Sequence, residues 1–548
     1  MEEQKPDRTP RMKMPQNVAE LQRKRVVMEL EGIDRMYLNA YVPRLTSAGG
    51  IAWFVRKHLG YRFASTKQVC EMTERFVERI RHFASEEHIE MVRFEKGQRK
   101  DSVMQDRLRH FKAKEGVVFI GVAQEKARVP RTERKQMGEG NVPWIIYSSA
   151  MVNFYYFYCV DEDFGPFFIK FCSYFPYSAK ICINGHEYLK RQLEKEHIDF
   201  AALDNGIAWC ADVARAQQIC DELSASKIER FFRKWLKTLP HPFARADRKA
   251  GYRYDLSTLQ AEFSLTQIWE KGVYGRYFFE EVIRENIDLG RPEQVQLIFA
   301  RKMQRKTATD GRMRTRIITE GVVPSLHVYY KNTHLKQYHK QFESRHGLRT
   351  ETTINNTYDF AVGRRLWNLP KLREIGFAAN RRMLEVETLS HDCQVGAAAF
   401  EAMQQPVKVE GQHGAALRFG DARVQALLTV LVMMSLQIEG FRNRQLRPLL
   451  AQCLGLKESD ITAGRMSYDL RRLRLHGLIE RIEGTHRYLP TQAGLRTAFF
   501  YSRTYARVLR PGLSILHDPR TVETHPLAAK MRRLEKEIDD YIMEQIAA

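Results

Sequence analysis

The sequence lacks the short signatures that identify many cofactor-dependent and zinc-dependent enzymes. It contains no Gly-Lys dipeptide, which excludes a phosphate-binding loop of the Walker A type. It also contains no G-x-S-x-G, H-E-x-x-H or paired C-x-x-C pattern, so nothing in it indicates a serine hydrolase or a zinc site of those classes. We therefore expect neither a nucleotide nor an organic cofactor.

Cysteine is also scarce. Eight cysteines are spread over 548 residues, and some lie in apolar runs such as YFYCV and FCSYF. This spacing is not that of a disulfide framework, and it predicts buried thiols in a reducing compartment, the cytoplasm.

Long apolar runs are missing. The longest, ALLTVLVMMSL from Ala426 to Leu436, is too short to span a bilayer and predicts a buried helix. The first 17 residues are polar and contain no apolar stretch, so we expect a disordered leader and no signal peptide. With no lipidation signal or basic amphipathic helix, we expect no membrane partner.

Basic residues are in excess. The net charge is +22, with 44% hydrophobic and 28% charged residues, so a chain with an ordinary core carries far more positive charge than solubility requires. Such a balance favours a polyanionic partner, most often nucleic acid.

Hydrophobic periodicity predicts a mixed α+β, multidomain protein with a central mixed or antiparallel sheet and surrounding helices. KEGVVFIGVAQEK predicts a buried strand, RVPRTERKQMGEGNVPW predicts a basic loop, and two further strands flank an acidic turn at Asp161–Gly165. The predicted domains are a mainly helical one over 18–113, an α/β one over 114–210, and one with helices and a basic antiparallel sheet over 211–405.

The basic sheet is predicted from fifty residues, 301–350, that hold twelve Lys and Arg against three Asp and Glu, a local charge of +9, with four histidines. Alternation along strands aligns basic and aromatic side chains on one face, where they could bind phosphates and stack on bases. A solvated outer face and an acidic protein partner are the alternatives. The predicted nucleic-acid-binding residues here are Arg312, Arg314, Arg316, His327, Tyr329, Lys331, Lys336, Tyr338, Lys340 and Arg349.

A second basic region lies over 420–512. An apolar helix is followed by NRQLRPLLAQCLGL, by the basic helix TAGRMSYDLRRLRLHGL, by two short strands around Gly484 and by a last helix. The run DLRRLRLHGLIERIEGTHRYLPTQAG resembles the recognition helix and wing of winged helix-turn-helix modules of the MarR type, over about 90 residues.

That resemblance implies a helix in the major groove of duplex DNA with a wing beside it, although some winged helices serve only protein contacts. The residues it would place against DNA are Arg465, Ser467, Tyr468, Arg471 and Arg472 on the helix, with His486 and Arg487 on the wing. Duplex DNA is the favoured target, and RNA is the alternative.

Carboxylates at predicted strand ends suggest a Mg²⁺ site, because hard cations prefer oxygen ligands. Asp161 and Glu187 are the candidate metal ligands, and the candidate catalytic residues are Asp161, Asp163, Glu187, Glu320 and Glu351. Acidic residues that merely solvate turns are the alternative. A looser nuclease-like pattern, Gln124-x-Lys126 with Asp101 or Asp106 upstream, is too permissive to choose between them.

Two functions remain open from the sequence. One is a metal-dependent nuclease or transposase-like phosphoryl-transfer enzyme with a DNA-targeting domain, and the other is a non-catalytic DNA- or RNA-binding regulator or scaffold. The last predicted helix, within 520–548, carries Met531, Leu534, Ile538 and Tyr541 at a/d-like spacing. Residues 525–546 could form a homodimer, or could pack back on the body of the protein.

Overall fold

The computed structural model describes residues 18–95, 97–98, 100–137, 140–288, 314–318, 325–341, 346–436, 438–505, 509 and 526–547. The chain forms two compact units. One comprises 26–275 with 298–380, and we call it the sheet unit; the other comprises 1–25, 276–297 and 381–548, and we call it the helical unit. The predicted disordered leader, 1–17, lies outside the described residues.

The sheet unit is built on one mixed sheet of eleven strands. Its order is β10-β11-β12-β13-β9-β1-β6-β5-β4-β3-β2, and every neighbouring pair is antiparallel except β2 with β3. The strands are Val26–Tyr41 (β1), Met91–Arg93 (β2), Gly116–Met137 (β3), Gly140–Asp161 (β4), Gly165–Cys172 (β5), Ala179–Asn184 (β6), Asp255–Trp269 (β9), Arg314–Ile318 (β10), Ser325–Tyr330 (β11), Thr333–Gln341 (β12) and His346–Ile354 (β13), with Phe200–Leu203 (β7) and Gly206–Cys210 (β8) forming a separate hairpin.

Amphipathic helices pack on the sheet. They are Ala48–Trp53 (α2), Thr66–Glu86 (α3), Lys100–His110 (α4), Gly185–Lys195 (α5), Val213–Glu222 (α6), Ala225–Thr238 (α7) and Arg245–Lys249 (α8). Helix α7 shows why they form: the Ser224 side chain caps its first turn, and Phe231, Phe232 and Trp235 recur on one buried face. That face joins a large aromatic core with β4, β5 and β6.

Shorter turns complete the sheet unit, and two helices cross its boundary. The chain makes 3₁₀ turns at Pro43–Leu45, Thr357–Phe360 and Leu366–Asn368, and a π turn at Phe54–His58. Gly272–Asp288 (α9) and Leu369–His391 (α10) each run from one unit into the other.

The helical unit contains its own apolar core, formed largely by α12, α13, α14 and α15. Its elements are Val18–Arg25 (α1), Ala397–Gln404 (α11), Val407–Val409 (β14), Gln412–Gly414 (β15), Ala422–Met433 (α12), Asn443–Leu454 (α13), the 3₁₀ turn Glu458–Asp460, Ala463–Leu475 (α14), Ile479–Arg481 (β16), Tyr488–Pro490 (β17), Gln492–Thr504 (α15) and Pro526–Ala547 (α16). The expected buried helix over Ala426–Leu436 is α12, which ends at Met433 and buries Ala426, Leu427, Leu428, Val430 and Leu431.

The mixed α+β class with a central sheet and surrounding helices is confirmed. Most of the regular structure in the described part of 18–113 is helical, although strand β1 from this segment lies in the middle of the sheet. The same sheet runs across the boundaries expected near 114 and 211. One local prediction is wrong. The expected basic loop is instead the far end of the long β3–β4 ribbon, where Arg131 pairs with Ile146.

Candidate nucleic-acid interface

Helix α14 is fixed in place by its cap and its buried face. The Thr462 hydroxyl accepts a hydrogen bond from the Arg465 backbone N–H at 3.2 Å, which satisfies one of the first-turn donors. Met466, Leu470 and Leu473, at spacings of four and three, are buried in the core of the helical unit. The opposite face of the helix is therefore held rigidly toward solvent.

That opposite face is cationic and aromatic. Arg465, Ser467, Tyr468 and Arg471 are all exposed, and the Arg471 guanidinium lies over the Tyr468 ring at 5.6 Å. Among the described residues no carboxylate pairs with Arg465 or Arg471. These donors are directed to solvent with their charge uncompensated.

The start of α13 is tied to this face. The Asn443 side-chain amide donates to the Ala463 carbonyl and to the Ser467 hydroxyl, both at 2.9 Å. Arg442 and Arg444 beside it are exposed. The sequence reasoning missed these two arginines, although NRQLR had been identified as the start of a helix.

Arg472 is not part of the exposed face, and its prediction as a DNA contact is wrong. Its side chain is buried, with Nε donating to the Ala415 carbonyl at 2.9 Å and Nη2 donating to that of Ala416. Arg472 therefore anchors α14 to the segment after β15. Arg472 lies on nearly the same side of the helix as the exposed Arg465, seven residues earlier, so its burial comes from the Ala415–Ala416 segment that covers it.

The two predicted DNA-contacting residues of the hairpin β16–β17 also differ in their environments. His486 is exposed, with its Nδ1 3.1 Å from Nη2 of Arg481, itself an exposed arginine that the sequence reasoning missed. Arg487 is turned inward: Nε donates to the Glu439 carbonyl at 2.6 Å, and Nη2 to the Gly440 carbonyl at 2.7 Å and to the Glu439 carboxylate at 3.1 Å. These bonds hold Arg487 against the Glu439–Gly440 segment, and its predicted contact with DNA stays a prediction.

In the sheet unit, the predicted strand alignment is reproduced by the backbone register. Arg314 pairs with Tyr329 and Arg316 with His327, and the row continues from His327 to Lys336 and Glu351. The predicted residues Arg312 and Glu320, and the side chains of Arg314, Arg316 and Lys340, lie outside the described residues.

Arg349 is not on a solvent-facing surface, so its prediction as a nucleic-acid contact is wrong. It is fully buried and makes ion pairs at 2.7 Å with Asp34 and with Glu351. It also donates to His186 Nε2 at 2.6 Å and to the Asn205 carbonyl at 2.7 Å. We call Asp34, His186, Tyr338, Arg349 and Glu351 the buried ion cluster.

The ion cluster has its own electrostatics. Burial by itself would raise the pKa of Asp34, but the charge of Arg349, with His186 and Asn205, holds that pKa below its usual value. Burial and the nearby Asp34 raise the pKa of Glu351. The Tyr338 hydroxyl donates to Glu351 at 2.7 Å, and burial raises the pKa of Tyr338. The arginine neutralises the two carboxylates within the fold. Glu351 and Tyr338, which were predicted as catalytic and nucleic-acid-binding residues, therefore have their partners inside the sheet unit.

The histidines and lysines of the predicted basic face also have internal partners. His327 is buried, with Nδ1 2.8 Å from Nε2 of His334, and the rings of Tyr329 and His334 stack 4.6 Å apart. Lys331 sits in the β11–β12 turn and donates to the Asp359 carbonyl at 2.8 Å, while Lys336 lies 4.0 Å over the Tyr338 ring. His327 is thereby corrected, because a buried ring cannot stack on a base.

The predicted catalytic carboxylates are likewise engaged. Asp161 is buried at the β4–β5 turn and accepts from the backbone N–H groups of Asp163 and Phe164, from Lys234 at 2.9 Å and from Trp235 at 2.8 Å. Four donors saturate this carboxylate, so its prediction as a metal ligand is corrected to a structural role.

Asp163 and Glu187 are partly exposed. Asp163 pairs with Lys195 at 2.6 Å, and Glu187 with Lys190 at 2.7 Å. Over the described ranges, no group of three or more His, Cys, Asp or Glu side chains is placed to hold a metal ion.

A polar cluster that the sequence reasoning missed lies beside the loose nuclease-like pattern. Glu125, the residue between Gln124 and Lys126, binds Lys170 at 2.7 Å, Lys100 at 2.9 Å and the Tyr156 hydroxyl. Burial lowers the pKa of Lys170 to about 8, against the opposing effect of Glu125. Gln124 and Lys126 are exposed on the opposite face of β3, so the cluster shares no residue with the nuclease-like pattern.

Comparison with protein-family models, with curated proteins and with solved structures gives no match to this chain. Among the described residues, no helix has both the length and the apolar character needed to cross a membrane. All eight cysteines are free thiols.

Proposed function

We propose that this chain is a nucleic-acid-binding protein that reads duplex DNA with helix α14. The observation that carries the proposal is the exposed row Arg465, Tyr468 and Arg471, at spacings of three residues, opposite a face that is fully buried. Arginine forks bind phosphates and guanine edges, and an α-helix fits the major groove. The winged helix-turn-helix resemblance implies the same docking.

The hairpin and the start of α13 supply further positive charge to the proposed surface. Arg481 and His486 are exposed on the hairpin, and Arg442 and Arg444 at α13. Residues of this type at the edges of a reading helix usually contact the DNA backbone and fix the orientation of the protein. The net charge of +22 supports the same class of partner.

Of the two functions left open by the sequence, the contacts favour the non-catalytic one. Asp161 is saturated by donors within the fold, and Glu351 is paired with Arg349. A metal-dependent nuclease remains a prediction that depends on Asp163, Glu187 and Glu320. We also propose a reducing compartment, the cytoplasm, because the cysteines are all thiols.

The proposal is tested by fluorescence anisotropy with labelled duplex DNA, single-stranded DNA and RNA of one sequence. The full chain should bind the duplex most tightly, and the double variant Arg465→Glu/Arg471→Glu should weaken that binding at least about 100-fold, because two phosphate contacts become repulsive. The matched control is Arg56→Glu/Arg230→Glu, which changes the net charge equally at two exposed arginines of the sheet unit. If both variants weakened binding equally, the binding would depend only on net charge and not on α14, which would contradict the proposal.

Incubating the same labelled strands with Mg²⁺ separates the two functions. Intact strands are expected under conditions where the full chain is bound. Cleavage that is lost in Glu187→Gln would instead support the nuclease.

A further inference from the structure

Helix α16 has an apolar face without cover. Every described side chain from 529 to 544 is exposed. These include five large apolar residues: Leu534 at 45%, Ile538 at 47%, Tyr541 at 62%, Ile542 at 46% and Met543 at 65%. Leu534, Ile538 and Tyr541 are four and three residues apart, so they lie along one side of the helix. A stripe of this kind on a soluble protein marks a contact surface.

The charges of α16 are separated along its length. Residues 530–536 contain four basic residues and one acidic residue, and residues 537–544 contain four acidic residues and no basic one. The helix has no acidic residue in its first turn and no basic residue in its last. Those are the positions where charge would stabilise a lone helix through its dipole, so its charge pattern does not serve isolated stability.

We propose that α16 pairs with α16 of a second copy of this chain, in antiparallel orientation. Antiparallel pairing lays the basic half of each helix along the acidic half of the other, while the two stripes of Leu534, Ile538 and Tyr541 cover each other. Parallel pairing would align the two basic halves with each other, and likewise the two acidic halves. Like charges facing each other across a helix pair are unfavourable, and opposite charges select the orientation.

The helix is long enough for this contact. Its 22 residues extend about 33 Å at a rise of about 1.5 Å per residue, three heptads of a paired helix. Most of the stability of a helix in a protein comes from packing its apolar face, and pairing would supply that packing to α16. The inference is independent of the proposed DNA binding, because it uses no residue of α14.

The oligomeric state is tested by sedimentation of the full chain over a concentration series. The parent is expected to dimerise, and Leu534→Ser/Ile538→Ser is expected to weaken dimerisation at least about 100-fold, since four buried apolar side chains are lost per dimer. Val409→Ser, at an exposed apolar position elsewhere in the helical unit, is the matched control and should leave the dimer intact. A monomeric parent, or a double variant that dimerises like the parent, overturns the proposal.

The orientation is tested with one spin label per chain at Ala529, after Cys70 and Cys453, the two exposed cysteines, are replaced by Ser. An antiparallel pair centred near Ile538 separates the two labels by about 27 Å along the axis. A parallel pair would hold them about 10 Å apart, the usual distance between helix axes. The short distance would overturn the antiparallel arrangement.

Discussion

Adjacent arginines of α14 have opposite environments, and their variants should differ accordingly. Arg472→Ala removes the donor to the Ala416 carbonyl and leaves the Ala415 carbonyl with His476 Nε2 alone, so we expect a loss of about 1–3 kcal/mol in the free energy of unfolding. Arg471→Ala removes an exposed side chain and should change that free energy by less than about 0.5 kcal/mol. Urea unfolding of both variants measures the contrast, and equal effects would contradict the assignment of buried and exposed faces.

Arg349 is the residue on which the buried ion cluster depends. Arg349→Met leaves the buried Asp34 and the half-buried Glu351 without their shared counter-ion, so we expect a loss of about 3–5 kcal/mol in unfolding free energy. Adding Asp34→Asn should recover part of the loss, because one uncompensated charge is removed. Chemical unfolding of the single and double variants measures this coupling. A fully stable Arg349→Met protein would contradict the contacts of the cluster.

His334 should make the stability depend on pH. Burial, with a smaller effect of Lys336, lowers its pKa from 6.5 to about 4, so the folded protein holds this ring neutral. The stabilisation is fully present above pH 6.5 and is lost as the pH falls toward 4, by about 3 kcal/mol in total. Urea unfolding at pH 7 and pH 4.5 should show a smaller acid loss for His334→Gln than for the parent. An unchanged acid loss would mean that His334 titrates normally.

At the scale of elements, several predictions from sequence are confirmed because local patterns decide them. The acidic turn between β4 and β5 is present, as are the antiparallel strands β11, β12 and β13 of the basic sheet. Strands β1 and β9 were not recognised, because they are buried in the middle of the sheet and long-range pairing outweighs local pattern there. The end of β3 over 128–137 and the start of β4 over 140–144 differ from the loop that the sequence predicts there, because their Gly, Pro and charged residues are typical of turns.

The site shows the same limit. Alternation predicts which residues of one strand share a face, such as His327 with Tyr329, but it cannot tell a solvent-exposed face from one whose side chains bind each other. His327 and Arg349 were therefore assigned to a surface although they are buried. On α14, the spacing of the apolar residues is sufficient to predict that Arg465 and Arg471 are exposed, because the apolar positions define the buried side of the helix.

The β4–β5 turn gives a prediction that separates a structural from a catalytic carboxylate. Asp161→Ala removes an acceptor shared by the turn and by Lys234 and Trp235 of α7, so the free energy of unfolding should fall by about 3 kcal/mol or more. Thermal and urea unfolding measure the change. Full stability combined with loss of Mg²⁺-dependent cleavage would return Asp161 to the catalytic role.

At the scale of the whole molecule, positive charge is distributed over both units, but its partners differ. In the sheet unit, several of the residues predicted to form a basic surface bind other residues of the fold instead, as Arg349 and Lys331 do. In the helical unit Arg465 and Arg471 have no carboxylate partner among the described residues. We therefore propose α14 for the contact with DNA, whereas the contacts of the buried ion cluster lie within the sheet unit.

The most direct test of this account is the salt dependence of duplex binding by the full chain. The parent should show a steep linear fall of log affinity with log salt concentration, because each phosphate contact releases counter-ions. Arg465→Ala/Arg471→Ala should lower that slope by about two, while Arg56→Ala/Arg230→Ala, at two exposed arginines of the sheet unit, should leave it unchanged. A slope equal to the parent's in the Arg465→Ala/Arg471→Ala variant would contradict the claim that α14 contacts DNA.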